Sequence, residues 1–375
     1  MAIQLEAKLS QFWQSIQTNL FPWLSEELGP LSENHQRVIT ILEMARIEEF
    51  VQPYRGCAPG RPEACRPGIA RAYIAKAALN LTTTRELIDR LRIDKVLRRI
   101  CGFERWADVP REWTFSRAFA EFAESKLPER VHAALIKKYR SDRLVGHISR
   151  DATAIEARER ISKAEVVVVT EPPKKRGRPK KWARKGKKKN ETRLERQFKM
   201  KTVAEMLVGI PTSCDVGTKK DSKGYKISWR GYKLHLDTAD GDIPISCLLT
   251  SASVHDSQVA LPLALMTSQR VTNFYDLMDA GYDSGIIRAY SLLLKHVPLI
   301  DFNRRTDADT RSFAPHEAAR YKERSAAERV NSRLKDSFGA RFLRVKGPIK
   351  AMAHLMFGVI GLTVEQLIGC IPKTA

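Results

Sequence analysis

Three carboxylates stand where a fold could bring them together. Asp151 closes the run GHISRD, which reads as a strand, and Asp279 closes NFYDLMD two residues before Gly281. Open α/β sheets place their ligand crevice beyond strand ends, so both acids are candidates for one site. Asp276 competes in the second strand but lies upstream of its end, and Asp279 is preferred. A third acid, Glu328, lies in RYKERSAAERVNSRLKD, where Tyr321, Arg324, Glu328 and Lys335 follow at gaps of three, four and seven. On one continuous α-helix these positions fall within an arc of roughly 60° and along about 21 Å. That face carries an aromatic hydroxyl, two cations and a carboxylate. A solvated stripe stabilised by helical ion pairs would have the same composition.

The elements that must position these residues differ between the two halves of the chain. Up to about residue 140, apolar side chains recur at helical spacing, through Phe12, Ile16 and Leu20 and again through Val38, Ile41, Leu42 and Ala45. In LTTTRELIDRL, Thr83 stands three residues before Glu86, the signature of a capping box. Short helices over 84–92, 94–100 and 114–124 are expected to follow one another. They carry or adjoin Arg71, Lys76, Arg85, Arg90, Lys95, Arg98, Arg99 and Arg117. Such a set suits a helix-turn-helix unit on DNA, and equally an all-α packing or dimerisation domain with solvated cations.

Beyond about residue 229 the pattern becomes strand-like, with WRGYKLHLDT and IPISCLLTSAS joined by the turn ADGD as a hairpin. A helix from Val259 to Met266, the strand NFYDLMDA, a helix from Ile286 to Leu294, the strand VPLIDF and a long helix from Ala318 to Asp336 come next. That order predicts an α/β fold, a mixed sheet flanked by helices and preceded by an all-α N-terminal domain.

The formal charge of +22 on 375 residues and a pI near 9.9 make a polyanion the first partner to test. Residues 171–190 hold eleven Lys or Arg against one Glu and almost nothing apolar, a composition that builds no core. The remainder still carries +12. Within this arm Arg176-Gly177-Arg178-Pro179 resembles an AT-hook entering a narrow minor groove, and a nonspecific basic tether accounts for it as well. Six scattered cysteines support neither a zinc site nor a disulfide framework; Cys57 and Cys65 lack a complementary ligand pair. The N-terminus has no signal-peptide pattern, and no apolar run of about 18 residues is evident. A cytoplasmic protein without membrane association is expected.

Y-x2-R-x3-E-x6-K resembles the YREK motif of a large group of bacterial insertion-sequence transposases. HISRDATAI, DAGYDS, RGYKLHL with SVHDS, and the N-terminal IAKAALNLTTTRELIDRL are similar to stretches of the same family. The resemblance implies a ribonuclease H-like catalytic core. It implies Asp151, Asp279 and Glu328 as the catalytic, metal-binding triad, with two Mg2+ ions for which Mn2+ can substitute. Three clustered carboxylates repel one another, and divalent cations neutralise them. Two metals then suit in-line displacement at phosphorus. In that family water cuts a strand at the transposon end, and the freed 3′-hydroxyl attacks target DNA. Tyr321, Arg324 and Lys335 would contact the terminal DNA.

The partners so implied are double-stranded DNA, as terminal inverted repeats and target, and a second copy on DNA, since two ends must be joined. The setting would be the bacterial nucleoid. The interval of 49 residues from Asp279 to Glu328 leaves no room for the large β-rich insertion of some relatives, whereas the 128 residues from Asp151 to Asp279 include the basic arm. The expected division is 1–140 for a helical DNA-binding or dimerisation domain and 141–345 for the catalytic domain, with a basic insertion at about 156–228. Residues 346–375 form a C-terminal helical segment. His255 and Asp256 could approach the metal site, but a capping Asp beside a core histidine explains them too, and neither is counted as a ligand. An inactive or domesticated DNA-binding derivative is the alternative, and a nuclease that cuts without joining is a third.

Overall fold

Three of the early helices begin where a short polar side chain takes up a free backbone N–H. Ser32 accepts from His35 N, Thr83 from Glu86 N, and Asp94 from Leu97 N. They open α1 (Glu33–Ala45), α3 (Thr84–Ile93) and α4 (Lys95–Ile100); α2 (Arg66–Ala78), α5 (Glu112–Glu124) and α6 (Leu127–Arg140) complete the N-terminal helical region. The Thr83 cap forms as expected, with one difference. The Glu86 carboxylate reaches past Thr83 and accepts from the N–H and hydroxyl of Thr82. The computed structural model describes residues 31–51, 64–161, 191–220, 224–303 and 312–370. The helix expected through Phe12, Cys57, and the arm with Arg176 and Arg178 lie outside the described residues.

The eight cations of this region divide by environment. Lys76 and Arg98 are buried, the latter donating to the carbonyls of Leu91 and Arg92. Arg71, Arg85, Arg90 and Arg99 lie within ion-pair distance of Glu48, Glu112, Asp94 and Glu104. Lys95 and Arg117 are exposed, Arg117 over the ring of Trp113. Arg71, Arg85 and Arg98 thus tie separate helices together, while the other five act locally or face solvent.

The second half is built on a seven-stranded mixed sheet. Its strands are β1 (Leu144–Ala157), β2 (Asp215–Lys220), β3 (Lys226–Ala239), β4 (Ile243–Ser251), β5 (Thr272–Met278), β6 (Val297–Ile300) and β7 (Phe342–Leu343). The second half of β3 pairs antiparallel with both β1 and β4, and its first half pairs with β2. β1 pairs parallel with β5, and β5 with β6. The hairpin of β3 and β4 turns at Gly241 and Asp242, both at positive φ. Gly231, in RGYKLHL, has φ 152° and lies so close to β1 that a Cβ would stand 2.1 Å from the Ile155 carbonyl oxygen. Only glycine fits there.

Helices α7 (Arg193–Lys199), α8 (Val203–Leu207), α9 (Ala260–Ser268), α10 (Gly285–Leu293), α11 (Pro315–Tyr321) and α12 (Ser325–Ser337) flank the sheet, and α13 (Pro348–Gly369) crosses behind it. By length and mean hydropathy α13 could span a bilayer, contrary to the expectation of no such run; 72% of that stretch is buried. The reason is its partners. Phe357, Ile360 and Val364 share one core with Ile41, Ile74 and Phe115 of the N-terminal helices and with Ile148 and Ile245 of the sheet. The five described cysteines are free thiols.

Two buried histidines make this core sensitive to acid. His132 donates through Nε2 to the Pro244 carbonyl, and His235 Nε2 meets the Thr250 hydroxyl. Burial pushes them from 6.5 down to about 3 and about 4 respectively. An unfolded chain takes up these protons below pH 6.5, whereas the folded chain does not. Their contribution is complete above pH 6.5 and is lost as pH falls toward 4. Urea melts should show stability falling by several kcal/mol, on the order of 1.4 per unit of pH for each histidine. His132→Gln should flatten that slope. An equally steep slope in the variant would assign the loss elsewhere.

Candidate active site

β1 is the strand on which the site is organised. Its pairing with β5 stops at Ser149 opposite Leu277, and its pairing with β7 begins at Glu156 opposite Phe342. Between those points one edge of β1 is open, and Asp151 lies in the gap. The sequence reading put Asp151 at the end of its strand, but the strand runs on to Ala157 because ATAIEA continues the ladder with β3. The acid is nonetheless at the end of a strand, that of the neighbouring β5. The register that pairs Ser149 with Leu277 carries Asp151 to the level of Asp279, the first residue past β5.

Asp279 accepts from Gly281 N through Oδ1, at 2.9 Å, and caps the short turn Ala280–Tyr282. A Cβ on Gly281 would stand 3.0 Å from that same oxygen. Asp276 is 2% exposed and accepts from Asn273 while facing His296 at 3.3 Å, so it belongs to the interior.

The third acid comes from α12, whose predicted continuity fails at one point. α11 ends at Tyr321, Lys322–Arg324 is a 3-10 turn, and α12 starts at Ser325. A stripe computed for one ideal α-helix therefore does not hold across Tyr321. The tighter turn is seated by two bonds to the neighbouring strands β5 and β1. The Tyr321 hydroxyl donates to the Met278 carbonyl at 3.2 Å, and Ser149 donates to the Glu323 carbonyl at 3.1 Å. Arg324 donates to Glu328 at 2.6 Å, on a carboxylate that is 55% exposed. Lys335 is half-buried, and its ammonium is held below its ordinary range by burial and by the nearby Lys219 and Arg341.

Two residues passed over or discounted in the sequence also reach the site. Asn331 donates Nδ2 to Asp151 Oδ2 at 3.0 Å, and its place one turn after Glu328 was the available signal. Asp256, in the turn after β4, bears electrostatically on both Asp151 and Asp279. His255 is exposed and bonded to Ser257, and its charge bears on Asp279 alone, in the opposite sense to Asp256.

Burial pushes Asp151 up to about 6; the charges of Asp279 and Asp256 add to it, against the Ala152 N–H and Arg324. Asp279 is raised in the same way, burial first, then Asp256, against Gly281 N–H and Arg324. Below both lies a buried ion pair in which Arg150 donates to both oxygens of Asp237 at 2.8 and 2.7 Å and to Met278 Sδ at 3.5 Å. Thr267 donates to Asp237 as well. Arg150 and Met278 are the residues immediately before Asp151 and Asp279, so this pair anchors both strands where the acids leave them.

Among the described residues no three His, Cys, Asp or Glu side chains stand close enough to hold a metal ion. The donor chemistry still fits one. Asp151 and Asp279 are hard oxygen donors whose mutual repulsion a divalent cation would relieve. Glu328 is turned onto Arg324 and would have to leave it to join them.

The sheet and this crevice define an α/β protein with an acidic site at the end of a parallel strand. A family described as Transposase DDE domain matches residues 146–363, and a second, described as Transposase domain (DUF772), matches residues 25–121. The chain belongs to the transposase DDE-domain family. No curated protein and no solved structure matches it.

Proposed function

We propose that this protein is an active insertion-sequence transposase of the YREK group that cuts transposon ends and joins the 3′-hydroxyl to target DNA. The observation that carries the reading is the alignment of Asp151 and Asp279 at one level of the β1–β5 pair, with α12, the helix that carries Glu328, bonded to Asp151 through Asn331. A ribonuclease H-like core is supported by the order β4-β3-β1-β5-β6, in which antiparallel strands give way to parallel ones at β1. Two Mg2+ ions, or Mn2+, would activate the attacking oxygen and stabilise the leaving oxygen at phosphorus. Asp151 and Asp279 would hold them first, since both are fixed by strand ends. Glu328 completes the triad by leaving Arg324, whose guanidinium is then free for a phosphate of the terminal repeat. Tyr321 and Lys335 border the same DNA path, and Arg176 and Arg178 add contacts from the arm. The working form is a dimer on DNA in the bacterial cytoplasm, acting at the nucleoid.

The ion pair of Arg324 with Glu328 favours a second reading, a DNA-binding derivative in which the triad does not assemble. The test is Mg2+-dependent cleavage and joining of a plasmid carrying the gene's native flanks, by wild type and Glu328→Gln. Wild type should cut at discrete ends and yield joined products; the variant should bind the same DNA and do neither. If both bind and neither reacts with Mg2+ or Mn2+, the derivative is the better account.

A further inference from the structure

β2 and the start of β3 run past the rest of the sheet as a two-stranded ribbon. The pairing of β3 with β1 ends at Gly231 and that with β4 ends at Tyr232, so residues 226–230 pair only with β2. The ribbon is fixed from both sides. On one, the Trp229 ring lies across Gly217 and leaves no room for a Cβ there, while its Nε1 donates to the Tyr232 carbonyl at 3.2 Å. On the other, the hydroxyls of Thr218 and Ser228 face each other at 3.3 Å. This second side also carries Lys226 and Arg230, and Thr218, Ser228, Lys226 and Arg230 are all exposed. Neither cation forms an ion pair among the described residues, unlike Arg71, Arg85, Arg90 and Arg99 of the N-terminal helices. A ribbon of two strands gains little stability for itself. Exposed cations with hydroxyls between them are the groups that contact a nucleic-acid backbone.

The ribbon's place in the sheet relates it to the crevice. Side chains two apart on a strand share a face, so Lys226, Ser228 and Arg230 continue the face of Tyr232, Leu234 and Leu236, and Leu236 is paired with Asp151. At about 3.3 Å per residue, Arg230 lies roughly 20 Å and Lys226 roughly 33 Å along the strand from the level of Asp151. Those spans match about six to ten base pairs of duplex. We propose that this ribbon enters the major groove of double-stranded DNA, with Lys226 and Arg230 on the phosphates and Thr218 and Ser228 within the groove, and so carries the duplex that leads away from Asp151. The inference rests on the chain acting on DNA and adds where that DNA lies. The major groove of B-form DNA, about 12 Å wide, admits a two-stranded ribbon, whereas the deep and narrow major groove of duplex RNA does not.

The test is binding of the full-length protein to a fluorescent DNA duplex and to an RNA duplex of the same length, read by anisotropy across a salt series, with melting curves to confirm folding. The double variant Lys226→Gln, Arg230→Gln should weaken DNA binding by on the order of tenfold to a hundredfold at ~0.1 M salt and lower the slope of log K against log salt by about 2. It should lose less on RNA. Lys137→Gln with Lys138→Gln removes the same charge from exposed positions on α6 and should keep the wild-type slope. If the ribbon variant binds DNA like wild type, or loses no more than the α6 variant, the ribbon does not touch DNA and the proposal is overturned. Equal losses on DNA and RNA show phosphate attraction without groove entry and overturn it as well. Both of those results leave the transposase reading standing. Wild type that holds no DNA duplex, native flanks included, removes the reading and this inference together.

Discussion

Asp151→Asn should melt at a higher temperature than wild type while losing strand cleavage by on the order of a thousandfold. The two effects have one origin. Burial and the neighbouring acids push Asp151 from 3.8 up to about 6, so at neutral pH the folded protein carries a carboxylate it would hold more easily unfolded. A raised carboxyl is stabilising only when protonated, and that stability is lost as pH rises through about 6. Asn keeps an oxygen for the Asn331 bond and removes the charge. The gain should be about 2 kcal/mol above pH 6 and vanish below about pH 4, where wild type is protonated in both states. Melting curves across that range decide it. A variant no more stable than wild type at pH 7.5 would mean the site is better solvated than its geometry implies.

The opposite sign is expected beneath the site. Arg150→Met should destabilise the fold by about 3–5 kcal/mol, because Asp237, fully buried, would keep only the Thr267 hydroxyl as a hydrogen-bond donor among the described residues. The double variant Arg150→Met with Asp237→Leu should recover most of the loss, since what harms the single variant is an unpaired buried charge. Denaturant titration of the two proteins is the measurement. Equal losses in both would point to the Met278 contact and strand packing instead.

This buried pair also explains where the sequence was hard to read. Arg150-Asp151 looks like the polar end of a strand, since the partner that allows Arg150 inside lies 87 residues away on β3. The strand therefore seemed to stop where it continues. Periodicity served well where one face is apolar, as in α3 and α5, and continuous apolar runs marked the hairpin and α9, which are buried nearly all round. It failed in the insertion, where α7, α8 and β2 are too short and too charged to stand out. The break at Lys322–Arg324 contains no glycine or proline, and only the bonds of Tyr321 and Ser149 to neighbouring elements account for it. Asp279 was separable from Asp276 by position along β5. Asn331 was not weighed as a site residue, and Asp256 was weighed but not counted as a ligand, because a helical Asn and a capping Asp have ordinary explanations.

The single core shared by α13, the sheet and the N-terminal helices has a kinetic consequence. Glu365 on α13 pairs with Arg37 on α1 and with Arg333 on α12, closing a loop of more than three hundred residues between the first pair. Folding slows as native contacts become more distant in sequence. The N-terminal helices of a newly made chain must wait, apolar faces uncovered, until α13 has been synthesised. Crowded nascent chains then meet each other before they meet their own last helix. Slow production favours correctly closed molecules, and rapid production diverts them to aggregates, so the architecture itself sets a ceiling on how much working protein a cell accumulates.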